Sequence, residues 1–176
     1  MAGAASRDRL QPALLDRLID DAPHARSEST DARVIGRAQL REIVLRDLRW
    51  LFNAMQGLGP DDAADPHVRR STVNYGMPSL AGKLASKVEL YDVERMMRQA
   101  IVDFEPRIDP SSVQVRAVPP KDPLDTHNQL ELEIRGRLWA QPYPMELLLK
   151  TALDLEDGTT IVEDAAATSR SVARET

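Results

Sequence analysis

The sequence contains no cysteine, and this absence excludes several classes of protein together. A chain without thiols has no disulfide scaffold, no thiolate zinc site, no iron–sulfur cluster and no cysteine nucleophile. Aromatic residues make up only 4% of the chain, which leaves few flat side chains for stacking against bases or sugars. The 23 basic residues are outnumbered by 28 acidic ones, whereas a general nucleic-acid-binding protein has the opposite balance.

Long apolar runs are also absent. No uncharged apolar stretch approaches the ~18 residues that a membrane-spanning helix requires. Arg7 and Asp8 lie where a signal peptide would have its apolar segment. The remaining composition, 42% hydrophobic and 29% charged over 176 residues, is that of one globular domain. We therefore expect a soluble, cytoplasmic protein.

Three segments have the apolar spacing of amphipathic helices. The first spans about Pro12 to Asp20, and the second about Arg37 to Met55. The third ends at Phe104 or Glu105, because Pro106 has no amide hydrogen and disfavours helical angles in the residue before it. The apolar face of the first helix consists of Leu14, Leu15, Leu18 and Ile19.

In the C-terminal half the apolar period changes from 3.6 to 2, which indicates antiparallel strands. We expect strands over about residues 113–117, 130–138, 145–155 and 159–162. In the second strand, Gly136 interrupts the inward-facing residues and marks either a bulge or a close approach by another segment. The predicted fold class is α+β, with N-terminal helices packed on one face of a small C-terminal antiparallel sheet.

The histidines form no catalytic or metal-binding pattern. His24, His67 and His127 are predicted in three separate loops, and no pair of them has the spacing of metal ligands. We expect no cofactor and no metal ion.

Carboxylates around the end of the third helix are the candidate for an enzyme. Asp103 and Glu105, with Asp109 nearby, supply the two carboxyl groups that glycoside hydrolysis requires about 5–9 Å apart. The surrounding sequence does not indicate the apolar pocket that would raise the pKa of one of them. A lysozyme-like glycoside hydrolase acting on peptidoglycan is therefore the alternative function.

Basic residues recur along the second helix, where a nucleic-acid patch, a solvated face and a protein interface are alternatives. They are Arg37, Arg41, Arg46 and Arg49. Aromatic stacking partners are lacking, and Glu42 and Asp47 dilute the positive charge. The pattern favours a solvated face or a protein interface.

Four stretches resemble one known family, and they occur in the family's order. They are Leu14-Leu15-Asp16-Arg17-Leu18, Arg46-Asp47-Leu48-Arg49-Trp50-Leu51-Phe52-Asn53, Val73-Asn74-Tyr75-Gly76-Met77-Pro78-Ser79-Leu80 and Phe104-Glu105-Pro106-Arg107-Ile108. They resemble the TssE family, and the resemblance covers about residues 10–160. Those proteins are baseplate subunits of the bacterial type VI secretion system, related to a wedge protein of contractile phage tails.

The resemblance implies a structural role and no enzymatic activity. The implied subunit links the baseplate wedge to the contractile sheath and templates sheath assembly. The implied partners are the TssF, TssG and TssK baseplate subunits and the TssB and TssC sheath subunits, without nucleic acid or membrane insertion. The implied location is cytoplasmic, in a membrane-docked baseplate. The expected domains are an N-terminal helix and flexible linker over 1–33, one wedge domain over 34–164 and a disordered tail over 165–176.

The resemblance also implies a partner-binding site at Glu105, Pro106 and Arg107. Pro106 ends the helix, so we expect Glu105 and Arg107 to project from a rigid corner and form charge-assisted hydrogen bonds with a partner. Alanine at Glu105 or at Arg107 would then leave the monomer folded and abolish baseplate or sheath assembly. The other interpretation is an exposed ion pair worth about 0–1 kcal/mol. Sheath contact would occur by strand addition, with the third strand as the open edge.

Overall fold

The computed structural model describes residues 12–19, 24, 35–58, 65–80, 90–119, 129–140 and 143–165. The expected linker before residue 34 and the expected tail lie almost entirely outside these ranges. The described helices are α1 (Leu14–Leu18), α2 (Arg37–Asn53), α3 (Pro66–Arg69) and α4 (Leu90–Phe104). Single 3-10 turns lie at Thr72–Asn74 and Pro110–Ser112.

The long helices α2 and α4 form the helical layer, as their apolar spacing predicts. Both bury the side chains that recur every three or four residues. α4 ends at Phe104, in agreement with the prediction. α2 ends at Asn53, two residues earlier than expected, because Ala54 has extended backbone angles and Met55 forms a bridge with Met77.

Four strands form one antiparallel sheet whose order follows the chain. They are β1 (Gln114–Ala117), β2 (Gln129–Leu138), β3 (Met145–Asp154) and β4 (Thr160–Asp164). One face of the sheet is buried with the apolar side chains of α2 and α4 in a single hydrophobic core, and the other face carries mostly charged side chains. This arrangement confirms the predicted α+β class.

Gly136 marks a close approach and no bulge. The pairing of β2 with β3 continues without interruption from Gln129 opposite Asp154 to Leu138 opposite Met145. A Cβ atom on residue 136 would lie 3.0 Å from Cγ2 of Ile108. The segment that follows α4 therefore packs directly on the strand, and a side chain at position 136 would displace Ile108 by a few tenths of an ångström.

Two expectations about exposed surfaces are wrong. β3 is not an edge strand, because it pairs with β2 on one side and β4 on the other, so the edges of the sheet are β1 and β4. α1 is amphipathic, but its apolar face does not enter the core: Leu14 is 71% exposed and Leu18 is 73% exposed. The helix instead turns Asp16 towards the rest of the protein, where it contacts Arg46.

Candidate partner-binding site

The corner after α4 is held by backbone hydrogen bonds on both sides of Pro106. The amide of Ile108 donates to the carbonyl oxygen of Glu105 at 3.2 Å. The amide of Trp139 donates to the carbonyl oxygen of Arg107 at 2.7 Å. The corner is thereby bonded to the chain that leaves β2.

Glu105 does not project from this corner, contrary to the expectation. The residue is only 3% exposed, and both carboxylate oxygens accept hydrogen bonds from Arg107. Nε of Arg107 lies 2.6 Å from Oε1, and Nη2 lies 2.5 Å from Oε2. The backbone amide of Arg107 also donates to Oε1 at 3.1 Å. Because an unpaired buried carboxylate is costly, this bidentate pairing satisfies the charge within the protein.

The Glu105–Arg107 pair is one end of a series of alternating charges that links α1, α2 and the segment after α4. Nη2 of Arg107 donates to Oδ2 of Asp47 at 2.6 Å, and the other oxygen of Asp47 accepts from Nη2 of Arg46 at 2.9 Å. Arg46 in turn forms a bidentate pair with Asp16 on α1. We call this set the ion-pair chain (Glu105, Arg107, Asp47, Arg46 and Asp16).

Three members of the ion-pair chain, Arg107, Arg46 and Asp16, have pKa values shifted in the directions that favour charge. Burial by itself lowers the pKa of Arg107, but the hydrogen bonds with Glu105 and Asp47 outweigh it, so that this pKa is raised. Hydrogen bonding to Asp16 raises the pKa of Arg46, and the same contact lowers the pKa of Asp16. All three groups are therefore charged at neutral pH.

Tyr75 brings a fourth segment into contact with the residues of the ion-pair chain. Its hydroxyl donates to the backbone carbonyl oxygen of Asp47 at 3.3 Å, and its ring meets Phe104 edge-on with 5.4 Å between the centroids. Burial, followed by the nearby carboxylates of Asp47 and Glu105, raises the pKa of this phenol. The four stretches that carry the family resemblance, distant in sequence, thus meet around one ion-pair chain.

The arginines of α2, for which the sequence favoured a solvated face or a protein interface, mostly pair with other segments of the same chain. Arg41 makes a bidentate pair with Asp164, with an Nη2–Oδ1 distance of 2.7 Å. Nε of Arg49 donates to the carbonyl oxygen of Val162 at 3.1 Å. Of the four arginines, these two and Arg46 hold other parts of the same chain, and Arg37 is exposed.

The three carboxylates considered for catalysis each have a separate partner. Glu105 uses both oxygens on Arg107, and Asp103 lies 3.7 Å from Nε of Arg70. Hydrogen bonds from Ser111 and, more weakly, from Arg137 lower the pKa of Asp109. A cavity between the end of α2 and β3 has a volume of about 110 Å³ and includes none of the three. Typical ligand sites measure about 300–1,000 Å³, so this cavity is smaller than such a site.

One histidine does not lie in a loop, as the sequence had predicted for all three. His67 lies in α3 and not in a loop, His24 lies in a turn, and His127 is outside the described residues. Within the described ranges, no three histidine, aspartate or glutamate side chains are grouped so that they could hold a metal ion. None of the described helices is long and apolar enough to cross a membrane.

The exposed surface beside the corner includes a residue that the sequence reasoning missed. Trp139 is 61% exposed and follows directly after β2, and its amide is bonded to Arg107. Pro106 is exposed as well. The alternation of β2 could have identified Trp139, because Leu138 points inward and the next side chain must point outward.

We predict that Asp16→Asn releases α1 from the domain, because the amide cannot replace the charged acceptor of Arg46. Since Arg46 stacks 4.8 Å above the ring of Trp50, the fluorescence of Trp50 in a Trp139→Phe background reports the release. The pKa of Asp16 is lowered from 3.8, so its contribution is complete at pH 7 and is lost only as the pH falls well below 4. Acidification should therefore change the Trp50 fluorescence of the parent more than that of the Asp16→Asn variant. Identical emission from both proteins throughout the titration would contradict the tether.

Comparison with protein-family models identifies the architecture that surrounds this site. Residues 38–143 match the model for the baseplate wedge protein gp25, a span that runs from α2 beyond the end of β2 and covers more than half of the chain. Three of the four converging stretches lie in this span. Comparisons with curated proteins and with solved structures give no significant match. The chain belongs to the baseplate wedge protein gp25 family, a family of structural baseplate components.

Proposed function

We propose that this protein is the TssE-type subunit of a type VI secretion baseplate, which links the wedge complex to the contractile sheath and templates sheath assembly. The observation that carries the proposal is the convergence of the four TssE-like stretches on the ion-pair chain. Stretches that resembled a family by chance would not be expected to meet in space, whereas these contact one another directly. The role is structural and non-catalytic.

In this proposal the Glu105-Pro106-Arg107 triplet binds a partner through its exposed parts. The buried carboxylate of Glu105 holds Arg107 in one orientation and contacts no partner itself. Pro106 and the neighbouring Trp139 supply apolar contact area on a rigid backbone. An exposed tryptophan beside a fixed corner has the character of an interface anchor, because Trp and Arg are enriched among the residues that dominate binding energy.

The proposed partners are TssF, TssG and TssK in the wedge and TssB and TssC in the sheath. The proposed location is the cytoplasmic face of a membrane-docked baseplate, with residues 34–164 as the wedge domain between an N-terminal segment and a C-terminal tail. The four-stranded sheet suits sheath contact, because backbone hydrogen bonding to an added strand fixes the position and direction of the incoming subunit.

The proposed function is tested in cells that lack the native copy and carry a fluorescent sheath subunit. We predict that the unmodified chain restores sheath assembly, that Trp139→Ala reduces it at least tenfold, and that Tyr91→Ala does not change it. Tyr91 is a matched control, since it is an aromatic residue that is 71% exposed on α4. Trp139→Ala should also lose the TssF and TssG that copurify with the parent, while its circular dichroism is unchanged. Normal sheaths in cells without any copy of the chain would refute the proposed function.

A further inference from the structure

The cavity where the end of α2 meets the β3–β4 turn has an apolar floor. Its volume is about 110 Å³. The buried apolar residues around it belong to the core and are each at most 8% exposed: Phe52, Met77, Leu80, Met97 and Leu153. An apolar cavity of about 150 Å³ binds one benzene molecule. A slightly smaller cavity therefore has the size of one aliphatic side chain.

The polar groups at the mouth of this cavity are bonded within the protein. The amide of Thr160 donates to Oδ1 of Asn53 at 2.9 Å, and Nδ2 of Asn53 donates to the carbonyl oxygen of Thr160 at 2.8 Å. Among the residues that the structure describes, no buried side-chain nitrogen or oxygen lacks a hydrogen-bond partner. The cavity therefore favours an apolar group over water, which needs two or more polar partners.

The charge at the mouth indicates what accompanies this apolar group. Asp157 is exposed, and it is the only charged residue among the described residues that line the cavity. Hydrogen bonds from the amide and the side chain of Thr159 lower the pKa of Asp157, so it is a carboxylate at neutral pH. Met55 lies beside it and is 69% exposed, and flexible methionine side chains adapt to a bound partner. A basic residue next to an aliphatic one would complement this mouth.

The cavity and the corner after α4 lie at opposite ends of the sheet. Trp139 follows the end of β2 that pairs with Met145, the first residue of β3. The cavity includes Leu153 and Asp157, at the last residues of β3 and in the turn beyond it. Ten strand residues separate these ends by about 30 Å, at ~3.4 Å per residue. Contacts at both ends would fix the orientation of the subunit, whereas one contact would leave it free to rotate.

We infer that this cavity is a second partner-binding site, which takes one aliphatic side chain of the wedge complex and, beside it, a lysine or arginine that pairs with Asp157. The inference rests on the proposed function, which supplies the wedge complex as the partner. The apolar contact provides most of the affinity, because it is buried on binding. The ion pair at the exposed mouth selects the partner and contributes less.

Benzene, added to the full chain labelled with ¹³C in its methionine methyl groups, tests whether the cavity accepts an apolar group. Met55, Met77 and Met97 line the cavity, and Met96 and Met145 are not among the lining residues. We expect the methyl resonances of the first three to shift in a saturable manner and those of the other two to stay in place. No shift at the three lining residues, or equal shifts at all five, would overturn the inference.

Binding of the purified TssF–TssG complex tests the partner. Ser79→Phe, which adds a ring at the exposed mouth, should weaken binding at least about tenfold, the effect of losing one buried aliphatic side chain. Thr72→Phe is the matched control, since Thr72 is also exposed and does not line the cavity. Asp157→Asn keeps an acceptor for Thr159 and should weaken binding about threefold, whereas Glu156→Gln should not change it. Circular dichroism checks the fold of each variant.

The outcomes separate this inference from the proposed function. A parent that binds the complex, with Ser79→Phe and Thr72→Phe of equal affinity, refutes the cavity as a binding site and leaves the proposed function intact. A parent that elutes as a dimer, with Ser79→Phe as a monomer, would assign the cavity to a second copy of the chain and overturn the inference. A parent that binds no wedge complex refutes the proposed function and this inference with it.

Discussion

Glu105→Ala should lower the free energy of unfolding by about 3 kcal/mol, because it leaves Arg107 without its bidentate partner. The guanidinium keeps one hydrogen bond to Asp47, which limits the loss. Three hydrogen bonds to the carboxylate, from Nε, Nη2 and the backbone amide of Arg107, disappear in this variant. Urea unfolding followed by circular dichroism at pH 7 measures the change. The sequence alone predicted that Glu105 projects and that the monomer stays folded without it, whereas the buried position of Glu105 adds an expected loss of stability.

The control for this prediction is Glu133→Ala. Glu133 also pairs with an arginine two residues away, with 2.6 Å to Nε of Arg135, but it lies on the outer face of the sheet. An exposed pair contributes about 0–1 kcal/mol, so the control should unfold nearly as the parent does. Equal losses of unfolding free energy in the two variants would show that burial does not increase the contribution of Glu105 to stability. A sheath assembly defect in Glu105→Ala must therefore be compared with its stability before it is attributed to partner binding.

Gly76→Ala should be more damaging still, with a loss of at least about 4 kcal/mol or failure to fold. Gly76 has φ = 127°, a backbone conformation that residues with a Cβ atom rarely adopt. Its Cβ would also lie 2.3 Å from the carbonyl oxygen of Ala54. That oxygen already accepts a hydrogen bond from the amide of Met77 at 2.8 Å. The two segments therefore cannot move apart without breaking this hydrogen bond. Soluble yield and urea unfolding measure the effect.

Gly57→Ala is the matched control in the same part of the fold. The nearest atom to its Cβ is the carbonyl oxygen of Val73 at 4.0 Å, which is an ordinary contact, and its φ is not positive. The substitution should change stability by less than about 1 kcal/mol. If Gly76→Ala were as stable as Gly57→Ala, the close approach between α2 and the segment after the Thr72–Asn74 turn would be disproved.

The elements that could be predicted from the sequence are those whose signal is local. The spacing of Val93, Met97 and Ile101 predicts α4, and Pro106 predicts its end. Alternation from Leu130 to Leu138 predicts β2. Gly136 left two alternatives, a bulge and a close approach, and only the position of Ile108 in space distinguishes them.

The site could not be predicted because its partners are distant in the chain. Arg107 and Asp47 are 60 residues apart, and nothing in the pattern of either segment indicates that they pair. Glu105 is buried against Arg107, so the expectation that a charge beside the proline projects outward fails there. The same reason explains the error about β3, since strand order in a sheet is a tertiary property. In α1 the apolar residues share one face, as predicted. The Asp16–Arg46 ion pair, however, turns Asp16 and not this apolar face towards the rest of the protein.

The anchoring of β4 to α2 has a consequence for synthesis of the protein. Asp164 reaches back 123 residues to Arg41, and Thr160 reaches back 107 residues to Asn53, so the final strand is held by the first long helix. During translation, α2 leaves the ribosome long before its partner strand, and β3 has no neighbour on one side until β4 is made. The nascent chain therefore passes through a stage with an unpaired apolar strand, which is a substrate for chaperones and a point where aggregation begins. Folding of this domain therefore depends on β4, and a chain truncated before residue 160 should be unable to complete the sheet.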